Sequence, residues 1–503
     1  MNNAIGQERV SAIVGYNIGT ANFSETSPNL PQRIAILAEA NTANQATLNT
    51  APQDLISAQQ AGNLYGFGSP IHQIMRILKP VSGDGVGGIP IVVYPQVAAV
   101  GSAARVQTIT ITGSATENRT HKLLIAGRSA VDAYSYEFNI VSGDTPTIIA
   151  GKISDTINAA LGAPVSATSA LGVVTATTKW TGLTAQDVSI EVINDGNGAG
   201  ITYAVAQTTA GSGTPNIAAS LALFGSSWNT IVINSYGAVS SVLNALETFN
   251  GIPDNEQPTG RYSGIIMKPF IAITGSTLED PSSVTDSRKD NVTIAIAPAP
   301  LSKGLPMEAA ANMALLYARV SQDTPHLDVL EKSYPDMPAP ASIGMMSAYD
   351  GRDAIVKKGS STVDLINGRY QVKDFVTTYH PDGEAVPQFR YCRTLMIDFN
   401  VKYGYYLLEQ INVVGHALAN DGDRVNATKV LKPKQWKQIL NTYADDLVTR
   451  GLLADASFMQ SSLQVNISST NPDRFETQFR YKRSGFLRQS ATTATAGFNF
   501  GNI

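Results

Sequence analysis

The side chains that most often carry out catalytic or metal chemistry are few in this sequence, and they are spread along it. Its 503 residues include one cysteine and five histidines. The histidines form no HExxH motif and no pair at i and i+4, the spacing that places two zinc ligands on one face of a helix. They are His72, His121, His326, His380 and His416. The sequence therefore predicts no metal site.

Two glycine-rich stretches, at 83–88 and 194–200, have the composition of nucleotide-binding loops but not their surroundings. A phosphate-binding loop ends in Lys-Ser or Lys-Thr, and a dinucleotide fingerprint opens a helix directly after a strand. Neither stretch meets either condition, so we interpret both as turns. The sequence predicts no bound cofactor.

Cys392 lies among large side chains in the stretch 390–396. A single cysteine cannot form an intramolecular disulfide, and no histidine lies in a recognisable partner motif for a catalytic thiol. We therefore expect a buried structural thiol in a reducing compartment.

Carboxylates offer the remaining route to catalysis. Asp445 and Asp446 are adjacent on a predicted helix, so their side chains diverge by about 100° and do not form an acid–base pair. Asp350, Asp353 and His380 are the acid–base candidates if the chain is an α/β hydrolase. That hypothesis depends only on their position in loops, and we expect a protein that is not an enzyme.

Composition excludes several classes of protein. Charged residues make up 15% of the chain and hydrophobic residues 43%, and the formal net charge is −4. Soluble domains average roughly 25% charged residues, so the composition argues against a coiled coil, a disordered chain or a nucleic-acid binder with a basic face. No run reaches the ~18 apolar residues of a membrane helix, and residues 1–4 lack the start of a secretion signal. We expect assembly in the cytoplasm, without nucleic-acid partners or membrane insertion.

The pattern of apolar residues predicts an α/β body over 31–101 and 212–353, because buried strands alternate with amphipathic helices in both segments. The predicted strands are 34–38, 90–94, 228–234, 270–274 and 291–297, and the predicted helices include 70–78, 238–250 and one that begins at Pro306. We also expect Asp54 to cap a helix that follows it. His72 falls off the apolar stripe of helix 70–78, which indicates a solvated side chain.

Between these two segments, residues 102–211 form a predicted β-rich insertion. Helix signals become rare there, and alternating strands bounded by Gly, Asn or Asp recur around a single helix at 147–161. The predicted strands are 106–113, 122–127, 134–140, 172–178 and 188–193. We expect this domain to protrude from the body.

The segment 354–485 is a predicted C-terminal α+β assembly module. Its predicted elements are strands at 368–372 and 374–379, a long helix at 389–417, a helix from Pro433 to Arg450, and a strand pair at 463–467 and 475–482. Gly451 directly follows the second helix, as expected of a residue that ends one.

Both ends of the chain lack the apolar content to bury themselves. Residues 1–30 contain one predicted strand, at 10–18, and the tail 486–503 is small and polar. An isolated strand needs the edge of another sheet, so we expect two extended arms. The apolar arm residues are Val10, Ala12, Val14, Tyr16, Ile18, Phe498 and Phe500.

Four motifs resemble those of the Mu-like contractile tail sheath proteins. They are Pro-Gln-Arg-Ile-Ala-Ile-Leu at 31–37, Arg-Tyr-Cys-Arg at 390–393, the helix of Trp436 that ends at Gly-Leu-Leu 451–453, and the segment 478–485. The resemblance covers most of the chain outside 102–211. It implies a virion subunit that stacks as hexameric rings into a helical sleeve around a tail tube. It also implies contraction on a signal from the baseplate, with a tail terminator protein as a further partner.

The same resemblance implies roles for particular residues. Each arm would add a strand to a neighbouring subunit, and the candidate acceptor strands carry Leu463, Val465, Ile467, Phe475, Phe479 and Tyr481. Lys432, Lys434 and Lys437 are candidates to face the tube, although a solvated lysine face explains them equally well. A separate hypothesis makes the insertion a recognition domain on a virion surface.

Overall fold

A computed structural model describes residues 28–496 apart from 84, 255, 265–266 and 384–386. The described chain divides into two compact units. The larger unit contains residues 30–403 and 483–496, and the smaller unit contains 28–29 and 404–482. The mixed α/β class predicted from the sequence is confirmed.

The larger unit begins with alternating strands and helices. These are β1 (Ile34–Glu39), α1 (Thr42–Gln45), β2 (Gln53–Leu55), α2 (Ala58–Tyr65), α3 (Pro70–Leu78) and β3 (Ile91–Gln96). The predicted helix cap at Asp54 is wrong, because residues 53–55 pair antiparallel with β3 and are extended. Ser57 caps α2 instead, and its hydroxyl accepts a hydrogen bond of 3.1 Å from the Gln60 amide.

The prediction of a solvated His72 is also wrong. Its side chain is 3% exposed, and its Nδ1 accepts a hydrogen bond of 3.2 Å from the Gly68 amide. Helix α3 is buried nearly all round, since the inserted domain covers the side that the helical pattern leaves polar. On that side Gln73 Nε2 donates to the carbonyl of Gly162, 2.8 Å away.

The insertion forms two larger antiparallel sheets, a two-stranded sheet and one α-helix. Its elements are β4 (Val106–Thr112), β5 (Arg119–Ile125), β6 (Ala130–Val131), β7 (Tyr134–Ser135), β8 (Glu137–Ile140), α4 (Pro146–Ala159), β9 (Val165–Ala170), β10 (Val173–Thr178), β11 (Ile190–Ile193) and β12 (Thr202–Thr209). The larger sheets have the strand orders β12-β4-β10-β9 and β11-β5-β8, and β6 pairs with β7. Three of these strands, β6, β9 and β12, were not predicted from the sequence; β6 has only two residues, and β12 is mostly exposed and has little apolar patterning.

The insertion docks against the rest of the larger unit. Arg128 forms ion pairs with buried Glu308 and with Asp336, and Arg76 Nε lies 2.9 Å from a carboxylate oxygen of Asp132. A single hydrophobic cluster also runs through both parts. Buried ion pairs combined with a shared core hold the insertion in a fixed position on this unit.

After the insertion, the alternation of helices and strands resumes. The elements are α5 (Ala218–Ala222), β13 (Ile231–Asn234), α6 (Ser240–Asn250), β14 (Ile271–Ser276), α7 (Ser282–Thr285), β15 (Ile294–Pro298), α8 (Pro306–Asp323) and α9 (Tyr349–Lys357). Short 3-10 helices lie at Leu183–Asp187 within the insertion and at Gly260–Tyr262, Asp286–Arg288 and Gly344–Ser347 after it.

The central sheet has the strand order β15-β14-β13-β1-β3-β2, and every pairing except that of β2 is parallel. All six residues of β1 are buried, because hydrophobic clusters cover both faces of the sheet. Strands β1 and β13 are neighbours although the whole insertion separates them in sequence. This pairing shows that the two α/β segments make one sheet.

The last elements of the larger unit are β16 (Thr362–Ile366), β17 (Arg369–Asp374) and the start of α10 (Cys392–Asn412). Asn367 and Gly368 both have positive φ, as a two-residue hairpin turn requires. Residues 374–379, predicted as a strand, make only isolated bridges beyond Asp374. Val363, Tyr370 and Phe399 belong to the core of this unit, and the boundary between the two compact units falls after residue 403.

The smaller unit contains the end of α10, which stops at Asn412, short of the predicted 417. It continues with β18 (Ala417–Leu418), β19 (Val430–Leu431), α11 (Pro433–Thr449), α12 (Ala456–Ser462), β20 (Gln464–Ile467) and β21 (Phe475–Gln478). Trp436, Leu440, Tyr443 and Leu447 form the buried stripe of α11, and Gly451 follows it with a φ of +71°.

Candidate assembly surfaces

The acid–base candidates for a hydrolase do not form a common site. Asp353 forms an ion pair with Lys357 on α9, with Oδ2 of Asp353 2.6 Å from Nζ of Lys357. The ring of His380 contacts the Thr378 carbonyl through Nδ1 and Asp286 through Nε2. Among the residues that the structure describes, no hydrogen bond or ion pair joins Asp350, Asp353 and His380. The geometry therefore gives no support to the enzyme hypothesis.

Cys392 is fully buried, as predicted. Burial raises the pKa of its thiol well above the usual range, which keeps the nucleophilic thiolate unpopulated. Its carbonyl accepts a hydrogen bond of 2.8 Å from the Tyr317 hydroxyl, so this residue has a packing role at the start of α10. Within the described ranges, no group of three or more His, Cys, Asp or Glu side chains is placed to bind a metal ion.

Strands β20 and β21 form a small antiparallel hairpin on the smaller unit. In the described part of the chain these two strands pair only with each other. Their residues alternate between half-buried and exposed, with Val465, Ile467 and Phe475 on the half-buried face. The remaining predicted acceptor residues flank the strands: Leu463 is buried at the end of α12, and Phe479 and Tyr481 follow β21.

Aromatic side chains fix this hairpin on the smaller unit. The ring of Tyr405 lies 5.9 Å from that of Trp436 and 5.7 Å from that of Phe479. The indole Nε1 of Trp436 donates a hydrogen bond of 3.3 Å to the hydroxyl of Thr477. Because β21 is tied to buried Trp436, its backbone is presented in a defined position.

A groove of about 870 Å³ runs beside β21. It is lined by Tyr405, Glu409, Val413 and Trp436 together with residues 471 and 473–477. The groove lies against a two-stranded sheet, so an extended segment lying in it would be close to unpaired backbone groups of a strand.

The candidate tube-facing lysines lie at the start of α11. Lys434 and Lys437 are exposed, whereas Lys432 is partly buried and its ammonium group donates to the carbonyl of Asp423. The Lys434 amide donates to Asp421, 2.9 Å away. Two of the three side chains are therefore available at the surface, and the third is used locally.

The apolar arm residues predicted at 10–18 and at 498 and 500 lie outside the described residues. The described part of the C-terminal tail, 489–496, is exposed and has neither helix nor strand. Sequence reasoning missed the residues just before it, where Arg483 and Arg488 bind the larger unit. The available signal was the arginine and aromatic content of 479–488, but a basic surface strand has the same composition.

The described chain therefore combines a buried thiol, a hairpin whose two strands pair only with each other, and an exposed tail. The chain is similar to the Mu-like prophage FluMu tail sheath protein of Haemophilus influenzae. The two are 24% identical over 428 residues, which cover 82% of each chain. This similarity confirms the resemblance to Mu-like tail sheath proteins that the four motifs indicated.

Solved structures of sheath proteins align along most of the chain at low identity. The contracted helical sheath of the anti-feeding prophage is 11% identical with a TM-score of 0.47, and the alignment covers 97% of this chain and 99% of that one. The sheath tail protein of Desulfitobacterium hafniense is 11% identical with a TM-score of 0.43, over 93% and 100% of the two chains. No protein-family model matches the chain. No helix in the described ranges combines the length and apolar character needed to cross a membrane.

Proposed function

We propose that this chain is the structural subunit of a contractile phage tail sheath. The observation that carries the proposal is the similarity to a tail sheath protein over 82% of both chains. Subunits polymerise as stacked hexameric rings around a tail tube, and contraction of the sleeve drives the tube through the host envelope. The role is structural and not enzymatic. The partners are further copies of the chain, the tube protein, and the baseplate and tail terminator proteins, in a tail assembled in the host cytoplasm.

In this proposal the parts of the chain divide the work. The α/β body at 31–101 and 212–353 carries the protruding insertion, and the module 354–485 makes the assembly contacts. The arms, 1–30 and 486–503, link neighbouring copies: residues 8–18 and 489–500 each add a strand to β20 or β21 of another subunit. The open edges of the described hairpin and the groove beside β21 support this assignment.

The strands that the arms add to neighbouring subunits are held weakly enough for the subunits to move during contraction. Each backbone hydrogen bond contributes about 0.5–1.5 kcal/mol net, so one short added strand holds by several weak bonds. Two arms per subunit then keep copies connected while the contacts between bodies change. Exposed lysine pairs, such as those available to Lys434 and Lys437, contribute at most about 1 kcal/mol each, which allows a tube to be released one contact at a time.

Electron microscopy of the purified full-length protein tests the proposal. We expect rings or sleeves from the wild type, and none after deletion of residues 1–20. Val14→Pro should also prevent assembly, because proline removes a backbone donor from the arm strand. The matched variant Val14→Thr keeps both the donor and the β-branched shape and should assemble. A monodisperse monomer that is unaffected by truncation contradicts the proposal.

A further inference from the structure

Residues 483–488, which precede the exposed tail, are tightly bound to the larger unit. Arg483 makes a bidentate contact with Asp398, with its Nε and Nη2 each 2.7 Å from a carboxylate oxygen. Its guanidinium also lies over the ring of Phe389, 5.2 Å from the centroid. Planar bidentate pairs of this kind hold a backbone in one orientation, since both bonds break if the arginine turns.

A second arginine, Arg393 on α10, binds the backbone of the same segment. Its side chain is buried and donates to the Ser484 carbonyl at 2.9 Å and to the Ser484 hydroxyl at 2.7 Å. A third bond of 2.6 Å runs from Nε to the His326 carbonyl. The guanidinium therefore joins the tail to the loop that contains His326.

The third set of contacts is made by Arg488, the last residue of this segment. Its guanidinium bonds to Asp328, whose side chain is only 1% exposed, and lies 3.6 Å from Asp374. It also stacks on Tyr391, with Cζ 3.8 Å from the ring centroid. Withdrawing Arg488 would leave the Asp328 carboxylate buried without its partner, which makes detachment of the tail costly.

Beyond Arg488 the described tail, 489–496, is exposed at every residue, whereas Arg488 itself is partly buried. Trypsin cleaves after arginine, so the bond between Arg488 and Gln489 lies directly at this boundary and can report its state.

We propose that residues 483–488 are a fixed anchor that sets where the C-terminal arm begins and transmits tension from a neighbouring subunit to the larger unit. The role in tension depends on the proposed function, whereas the anchor itself does not. Detachment of these six residues would lengthen a tether by about 20 Å in the extended state. A fixed anchor prevents that lengthening. Force applied to the arm is then transmitted to the larger unit and does not detach residues 483–488.

Limited trypsin digestion of the isolated full-length protein tests the anchor. Release of the peptide 489–503 is followed by mass spectrometry. In the wild type, Arg488 is held by Asp328 and cleavage should be slow. In Asp328→Asn we expect release to be faster by at least about tenfold, because cleavage follows the population of the opened tail.

Two further variants separate local release from unfolding. Asp54→Asn removes a carboxylate that pairs with Arg33 at 3.0 Å but is 70% exposed, and it should change the release rate less than about twofold. Tyr391→Leu removes only the stacking partner and should give a smaller acceleration than Asp328→Asn. Cleavage after Arg488 in the wild type as fast as in a free peptide overturns the anchor, and so does an unchanged rate in both Asp328→Asn and Tyr391→Leu.

The role in assembly has its own readout. If the wild type forms sleeves, Asp328→Asn should give fewer and shorter ones in electron micrographs. Sleeves identical to the wild type, combined with faster peptide release, overturn the transmission of tension. If the wild type forms no sleeves while the digestion result holds, the anchor is supported and the proposed sheath function is what fails.

Discussion

Replacing Glu39 with glutamine should remove a pH-dependent loss of stability from this protein. Glu39 ends β1 in the middle of the central sheet, and its side chain is 1% exposed. Neither carboxylate oxygen has a hydrogen-bond partner among the described residues. One oxygen lies against the backbone of Gly182, where an added Cβ would come within 3.0 Å of it. Burial raises the pKa of this carboxyl group from 4.5 to about 8.

The pKa values give the size and the sign of the effect. The folded chain keeps its proton up to about pH 8, and the unfolded chain loses it above pH 4.5, so unfolding releases a proton between these values. The contribution of Glu39 to the free energy of unfolding therefore falls as pH rises through this window. At about 1.4 kcal/mol for each tenfold change, the loss is about 3 kcal/mol from pH 5 to 7 and about 4 kcal/mol from pH 5 to 8.5.

Urea unfolding of the wild type and of Glu39→Gln at pH 5, 7 and 8.5 measures this loss. Tryptophan fluorescence is a suitable probe, because one of the three tryptophans, buried Trp180, lies two residues from Gly182. Other titrating groups are shared, so the difference between the two proteins isolates Glu39. We expect that difference to grow in favour of glutamine by about 3 kcal/mol at pH 7 and about 4 kcal/mol at pH 8.5.

The control is Glu137→Gln, which makes the same chemical change at an exposed position of β8 and should follow the wild type at every pH. Parallel pH profiles for the wild type and Glu39→Gln would refute the reasoning, since they would mean that Glu39 is ionised in the folded protein.

Three other substitutions or treatments test the packing. Gly275→Ala places a Cβ 1.6 Å from the Pro306 carbonyl, so it should destabilise the larger unit by at least about 3 kcal/mol in thermal unfolding, whereas Gly151→Ala on α4 meets no neighbour and should be neutral or stabilising. Burial lowers the pKa of His72 from 6.5 to about 4, so the stability of the wild type relative to His72→Gln should fall by about 3 kcal/mol as pH falls from 6.5 to 4; a difference that stays constant with pH would contradict this. Cys392 should react with a thiol reagent only after denaturant unfolds the chain, and rapid labelling of the native protein would contradict its burial.

Much of the fold could be predicted from local pattern. Strands β1, β13, β14 and β15 are short apolar runs, and runs of this length in alternation with amphipathic helices favour buried parallel strands. The bounds of helix α11 could also be predicted from local signals. Pro433 marks its start, the apolar stripe marks its buried face, and Gly451 marks its end. The hairpin β20–β21 likewise follows from alternation over short distances.

The errors lie where distant segments meet. His72 is polar by helical periodicity, yet the insertion covers it through contacts such as that of Gln73 with Gly162. Asp54 has the chemistry of a helix cap but lies in a strand, because β3 offers it an edge. The anchor could not be predicted for the same reason: Asp328 and Arg488 are far apart in sequence, and nothing local to either one selects the other.

The sequence by itself determined the alternation of elements, the β-rich insertion, the buried thiol and the resemblance to a tail sheath protein. Those properties depend on residue types and on their spacing within one helical turn or one strand. Residues that are close in sequence are also close in space, so their effect does not depend on how distant segments pack. Only the tertiary structure decided that β1 pairs with β13, that Glu39 is buried without a partner, and that the tail is fixed at Arg488. These outcomes depend on which surfaces exclude water together, and that is settled only when the whole chain has packed.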